Sequence, residues 1–155
     1  MIAPGDDIDR LMAVMRAAFD PAYGEAWTRR QVEDALLTGN CHYALIAPGG
    51  EPPRADEAAA GFFLSRHGYE DEELLLLAVD PAQRGKGLGG ALIDWLARDA
   101  HARGAQRLFL EMRRGNPAEH LYRAKGFVPI GERLNYYRTP SGERLDAVTF
   151  CREME

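Results

Sequence analysis

The sequence predicts an α+β fold, a mixed and mostly antiparallel central sheet flanked by helices. Two observations lead there. Helical periodicity fills the chain up to residue 39 and strand-like runs recur from residue 41 onward. Between them, one strand, glycine loop, helix and strand unit spans residues 73–112. No internal repeat, low-complexity stretch or linker divides residues 1–155, so a single domain is expected.

Ile8, Leu11, Met12, Met15 and Phe19 recur at helical spacing, with Asp6 or Asp7 available as the cap of a first helix. "TRRQVEDALLTGN" opens on Thr28 with Gln31 three residues later, the pattern of a capping box. Val32, Ala35 and Leu36 form that helix's apolar face, and Gly39-Asn40 stops it. "CHYALIA" (41–47) reads as a strand, and the "PGGEPPRADEAA" after it holds three prolines and must be a loop. "AGFFLSRH" (60–67) and "ELLLLAVD" (73–80) are strands paired as a hairpin, with the acidic "YEDEE" (69–73) expected as a solvated turn. After the glycine loop, Leu88, Ala91, Leu92, Trp95 and Leu96 share one helical face, Trp95 as a core residue, and Gly104 ends the helix. "QRLFLEM" (106–112) is a strand. Asn116-Pro117 starts a short helix ending at Gly126, since proline suits a first helical turn. "FVPIGERLNYYRT" and "RLDAVTFCREM" are the last two strands, joined by the turn "PSGE".

Composition narrows the function classes. The 155 residues are 46% hydrophobic and 28% charged with a net charge of −5, which argues against nucleic acid as the main partner. The longest apolar run, Leu74 to Val79, is too short to span a membrane, and the acidic "MIAPGDDIDRL" lacks a signal-peptide layout. Cys41 and Cys151 lack metal-type spacing and read as reduced, packed thiols, so a cytoplasmic location is expected. His42, His67, His101 and His120 show no ligand spacing, and no metal is expected.

The chemistry centres on "RGKGLGG", where Gly85, Gly87, Gly89 and Gly90 separate an apolar strand from an amphipathic helix. Unpaired N–H groups at a helix start bind anions, glycines allow close approach, and Arg84 and Lys86 add positive charge. The plainest reading is a glycine-rich turn without a ligand. A mononucleotide P-loop fails, because Lys86 is followed by Gly87 rather than Ser or Thr, and Pro81 stands where the first glycine is required. A dinucleotide site is satisfied literally by Gly85, Gly87 and Gly90, with Glu111 near the place of a ribose-binding acid. Against it, "DPAQR" separates strand from glycine, and the unit sits mid-chain rather than opening an alternating fold.

A third reading fits best. "RGKGLG" (84–89) matches the R/Q-x-x-G-x-G/A signature of the GNAT superfamily of N-acetyltransferases. "LEMRRGNPAEHLYRAKGF" (110–127) resembles that superfamily's "LEVR-x-x-N … LY-x-x-x-GF" segment, above all in its RimI-type ribosomal-protein-alanine N-acetyltransferases. "NYY" (135–137), "LDAVTF" (145–150) and "AWT" (26–28) are similar to that subgroup's "NYY … EDA" ending and early "PWS". The ordered set covers roughly residues 25–150. One departure stands out: Asn116 to Tyr122 is one step shorter than the subgroup's spacing.

The resemblance implies a GNAT fold and acetyl-CoA as co-substrate. Its diphosphate would be held by Arg84, Gly85, Lys86, Gly87, Leu88, Gly89 and Gly90, and its pantetheine arm by Leu77, Ala78, Val79 and Asn116. Glu111 is the implied general base; its plainer reading is a solvated strand-end carboxylate or a partner for Arg113. Tyr122 is the implied acid toward the CoA sulfur, or else a packed tyrosine covering the coenzyme. Trp27, Tyr136 and Tyr137 fall on the acceptor side, although cross-strand aromatic packing explains the tyrosines equally well. The implied acceptor is the N-terminal alanine of a small-subunit ribosomal protein. An α-amine of pKa about 7.7–8.0 is roughly a tenth to a fifth neutral at pH 7, so a modest base suffices. A small-molecule amine, a lysine, and non-catalytic acyl-CoA binding remain as alternatives.

Overall fold

A computed structural model describes residues 6–154; residues 1–5, on which the reading of the chain's acidic opening partly rests, and residue 155 lie outside the described part. Helix α1 (Asp7–Ala18) is capped by Asp6, whose carboxylate accepts the Asp9 N–H at 2.9 Å. Helix α2 (Arg29–Leu37) carries the expected capping box: Thr28 Oγ1 accepts from the Gln31 N–H at 3.1 Å, and Gln31 Oε1 accepts from the Thr28 N–H at 2.8 Å. The remaining elements are β1 (Cys41–Ile46), β2 (Gly61–His67), β3 (Asp71–Val79), α3 (Leu88–Ala102), β4 (Arg107–Arg113), α4 (Glu119–Ala124), β5 (Val128–Arg138) and β6 (Arg144–Glu153).

The six strands form one sheet in the order β1-β2-β3-β4-β6-β5. Every neighbouring pair is antiparallel except β3 and β4, which are parallel and joined through α3. Helices α1 and α2 cover β1–β3 on one face through Leu11, Met15, Val32, Phe62 and Leu76. Helix α3 covers the other face through Leu92, Ile93 and Leu96 against Phe63, Leu74 and Leu108. Trp95 is half-buried against this second layer, its ring edge-on to Phe63 at 6.4 Å between centroids. Strand β3 is thus buried from both sides, and for this reason its sequence is a leucine run rather than an alternation.

A single irregularity in β3 shapes the molecule. Leu64 of β2 faces Leu76, but the next residue, Ser65, faces Leu74, so Leu75 is an extra residue in β3. Such a bulge bends a strand and sharpens its twist. It also switches which layer the side chains on either side of it meet: Leu74 packs toward α3, whereas Leu76 and Ala78 pack toward α1 and α2. The parallel pairing with β4 runs from Asp71↔Arg107 to Leu74↔Leu110 and stops there. Beyond it the two strands part, leaving the β4-facing edge of residues 75–79 without a strand partner.

The expected solvated turn at 69–73 is corrected. Strand β3 begins at Asp71, and Glu72 is fully buried. Its carboxylate accepts from Arg103 Nε at 3.0 Å and from Arg103 Nη2, and from Ser65 Oγ at 2.5 Å, with His67 Nδ1 3.3 Å away. These contacts tie the C-terminal end of α3 to the closed end of the sheet. Burial favours the neutral acid, yet Arg103 and Ser65 outweigh it and hold the Glu72 carboxyl below its ordinary 4.5. Its stabilising charge is therefore present above pH 4.5 and is lost as the pH falls through the lower folded value. Arg103→Met strands a buried carboxylate and should destabilise the fold by about 3 kcal/mol in urea melts at pH 7, the deficit shrinking on acidification. Equal stability of variant and wild type at pH 7 would show that this pair does not brace the sheet.

Candidate active site

The parting of β3 and β4 opens a cavity of about 900 Å³. Its walls are residues 74–79 of β3, residues 110–113 of β4, the loop at 83–90, the α4 region and the segment leading into α2. Of the residues singled out from the sequence, Leu77, Ala78 and Val79 line it from β3, and Arg84, Gly85, Gly87, Leu88, Gly89 and Gly90 from the loop and helix start. Lys86 does not line it; its ammonium instead donates to Gln83 Oε1 at 2.6 Å.

Asp80 starts the loop by accepting the Ala82 N–H at 3.0 Å, which makes a short turn at Pro81–Gln83. Gly87 then occupies the cap position of α3 in the left-handed region, φ +76°, where a side chain is strained. No side chain caps the helix, and its first backbone bond runs from the Ala91 N–H to the Gly87 carbonyl at 3.0 Å. The preceding N–H groups of the first turn stand at the positive end of a fifteen-residue helix, and the residues that carry them line the cavity. Gly89 has a different task. A Cβ there would come within 2.9 Å of Leu121 Cδ2, so its absence lets α4 pack against the start of α3.

Helix α4 begins later than Asn116-Pro117 implies. Its first residue is Glu119 and its cap position is Ala118, with a tight turn leading in. Asn116 starts that turn by accepting the Ala118 N–H on Oδ1 at 3.0 Å. The helix is six residues long and places Tyr122 in the cavity wall. The Tyr122 ring is buried edge-on to Phe127, centroids 5.8 Å apart. Burial, aided by the charge of Glu25, pushes its hydroxyl far above the usual phenol range, so it keeps its proton.

Glu111 lines the cavity from β4, opposite Thr149 of β6. Its Oε2 accepts from Thr149 Oγ1 at 3.2 Å and lies 3.4 Å from Arg133 Nε. Arg133, not Arg113, is its ionic partner. Tyr137 lines the cavity from β5, its hydroxyl pushed up to about 12 by burial and then by Glu111 and Glu25. Tyr136 does not line the cavity. It stands half-exposed, its ring 5.2 Å from that of Tyr137 and beneath the Arg133 guanidinium. Of its two expected roles, aromatic packing is the one these contacts match. Asn135, at φ +53°, bends the strand here, its N–H donating to Asp146 Oδ1 at 2.8 Å.

Trp27 lines the cavity from the segment before α2, beside residues to which the sequence assigns no role in the site: Tyr23, Glu25, Arg113 and Arg138. Glu25 and Arg113 are 88 positions apart and pair at 3.4 Å, a contact with no local sequence signal. Among the described residues no group of three or more His, Cys, Asp or Glu is placed to hold a metal, and no helix is long and apolar enough to cross a membrane.

An uncapped helix start thus lies at one end of a cleft between parted parallel strands, with Glu111 and Tyr122 in its walls. A sequence profile of the acetyltransferase (GNAT) domain matches residues 41–129. The chain belongs to the GNAT acetyltransferase family. It is 36% identical over 91 residues to a ribosomal protein bS18-alanine N-acetyltransferase of Haemophilus influenzae, covering 59% of this chain and 62% of that one. To a putative enzyme of the same name from Bacillus subtilis it is 31% identical over 140 residues, covering 89% and 85%. The crystal structure of the ribosomal-protein-S18-alanine N-acetyltransferase from Escherichia coli superposes with a TM-score of 0.76 at 25% identity, covering 100% of this chain and 94% of that one. The matched stretch spans about three fifths of the Haemophilus relative. The mixed sheet and flanking helices read from the sequence are those of this family.

Gly87→Ala should cost about 1–2 kcal/mol in thermal melts without ligand, because it forces an alanine into the left-handed region. Gly131→Ala, with open space around it, serves as a control expected within about 0.5 kcal/mol of wild type. A neutral Gly87→Ala would contradict the strained cap.

Proposed function

We propose that this domain transfers the acetyl group of acetyl-CoA to the N-terminal alanine of a small-subunit ribosomal protein in the cytoplasm, directly, within a ternary complex. The observation that carries the acetyl-CoA reading is the continuity of one cleft from the uncapped start of α3, along the unpartnered edge of β3, to Glu111 and Tyr122. The choice of acceptor is supported by the names of these relatives, bS18-alanine N-acetyltransferases or putative ones.

The residues present fit the coenzyme. The N–H groups of the first turn of α3 and the Arg84 guanidinium offer a diphosphate both donors and charge. The β3 edge at residues 75–79 has backbone groups free to pair with the amides of a pantetheine arm, much as a further strand would. Asn116 reaches the same arm while holding its turn. Acetyl-CoA supplies the thioester. The N–H near Val79 serves as a one-donor oxyanion site for its carbonyl.

Glu111 takes the proton of the incoming α-ammonium, directly or through one water, so that a neutral amine attacks. Its bond from Thr149 keeps the carboxylate aimed from the strand. Tyr122 stays protonated in its buried position and donates to the departing sulfur. Trp27 and Tyr137 line the acceptor end.

Mass spectrometry of N-terminal peptides incubated with enzyme and acetyl-CoA should show one added acetyl group on an alanine-starting ribosomal peptide. Acetylation of free amines or lysine side chains instead would overturn the acceptor, and no transfer to any amine would overturn the activity. Glu111→Gln and Tyr122→Phe should each lower kcat by about 10²-fold with acetyl-CoA affinity kept. Near-normal turnover in either variant removes that residue from the chemistry.

A further inference from the structure

Helix α4 carries Tyr122, yet at six residues and without a side-chain cap it cannot fix its own position. Contacts outside it must do so. Leu121 and Tyr122 pack into the core layer of α3, Leu121 in the space that Gly89 leaves open. At the other end of α4 stands Lys125, its cap residue, whose N–H is shared between the Leu121 and Tyr122 carbonyls, each at 3.1 Å. The Lys125 side chain then leaves α4 altogether. Its stem crosses Gly90 of α3, where a Cβ would stand 3.0 Å from Lys125 Cε. Its ammonium donates to both carboxylate oxygens of Asp94, one helical turn further along α3, at 2.9 and 3.1 Å. Gly90, expected at the diphosphate, thus also makes room for this crossing. Among the described residues, no other ion pair joins α3 to the α4 region.

We infer that the Lys125–Asp94 pair is a clamp that positions Tyr122: it ties the end of α4 to the helix that begins at the coenzyme loop, and so sets where the Tyr122 hydroxyl stands relative to the thioester sulfur. This rests on the proposed role of Tyr122 as the acid. Neither Lys125 nor Asp94 lines the cavity, so both are positioning residues. The path from the clamp to the tyrosine is short. It runs through the last hydrogen bonds of α4, and through Phe127, whose N–H donates to the Tyr122 carbonyl at 3.0 Å and whose ring meets the Tyr122 ring edge-on. The side chains of the pair are 30% and 47% exposed, so it adds little to global stability. Its loss shows in the placement of one short helix.

The test compares wild type, Lys125→Met, Asp94→Asn, their double variant, Lys125→Arg, Tyr122→Phe and Tyr122→Phe/Lys125→Met on one alanine-starting peptide. Amide hydrogen exchange of residues 119–127 and urea midpoints are followed alongside. Lys125→Met should lower kcat at least about fivefold while KM for acetyl-CoA and for the peptide each stay within about twofold. Its urea midpoint should stay within about 0.5 M of wild type, and exchange in residues 119–127 should quicken. Asp94→Asn should match it, the double variant should be little worse, and Lys125→Arg should restore most of the turnover. In the Tyr122→Phe background, Lys125→Met should cost less than about twofold more, because the hydroxyl it positions is gone. Unchanged kcat or exchange in Lys125→Met, a rise in either KM, no rescue by arginine, or the full loss repeated without the Tyr122 hydroxyl would each overturn the clamp. A wild type without activity, or normal turnover in Tyr122→Phe, would instead sink the reading on which the inference rests, and the exchange measurement would still decide whether the pair holds α4.

Discussion

The site depends on the end of one strand pairing. Strands β3 and β4 hold each other from Asp71 to Leu74 and no further, and the extra residue Leu75 turns β3 away at that point. A parallel pair that ran its full length would satisfy its backbone groups internally and close the sheet. Parted, it exposes a strand edge in the middle of the molecule, where the core layers on both sides keep it rigid. Unpartnered backbone groups are tolerable only where a ligand or water can reach them, and here they line a cavity.

The closed end of the fork is reinforced to match. Glu72 sits beside the first rungs of the β3–β4 pairing and gathers Arg103 from the end of α3 and Ser65 from β2. Strand, helix and neighbouring strand are thereby joined at the base of the opening. At its other end α3 begins without a side-chain cap, its first residues lining the cleft. One helix is therefore anchored at its C-terminus and available at its N-terminus. The half of the cleft proposed for the coenzyme is made mainly of backbone, whereas the half proposed for the acceptor is made of side chains drawn from distant parts of the chain.

Legibility in the sequence divides along the same line. The loop from Arg84 to Gly90 is readable as a break between strand and helix because glycines cluster at fixed offsets from both. The capping box of Thr28 and Gln31 is readable because it is a local hydrogen-bond pattern. The Leu75 bulge is not, since a leucine run buried on both faces carries no alternation for a register shift to break. "YEDEE" resembles a solvated turn because the partners that make a buried Glu72 tolerable, Arg103 and Ser65, lie 31 and 7 positions away. Asn116 and Pro117 signal a helix start correctly in kind but two residues early, because a tight turn intervenes before Glu119. The pairing of Glu25 with Arg113 is a property of the folded chain alone.

The sharpest test is an amide NMR titration of the isotopically labelled protein with acetyl-CoA. The largest shifts are expected at residues 85–90 and 75–79, the uncapped helix start and the free edge of β3. Shifts confined to other regions, or none at saturating coenzyme, would contradict the claim that the parted strands and the helix start together form the coenzyme site.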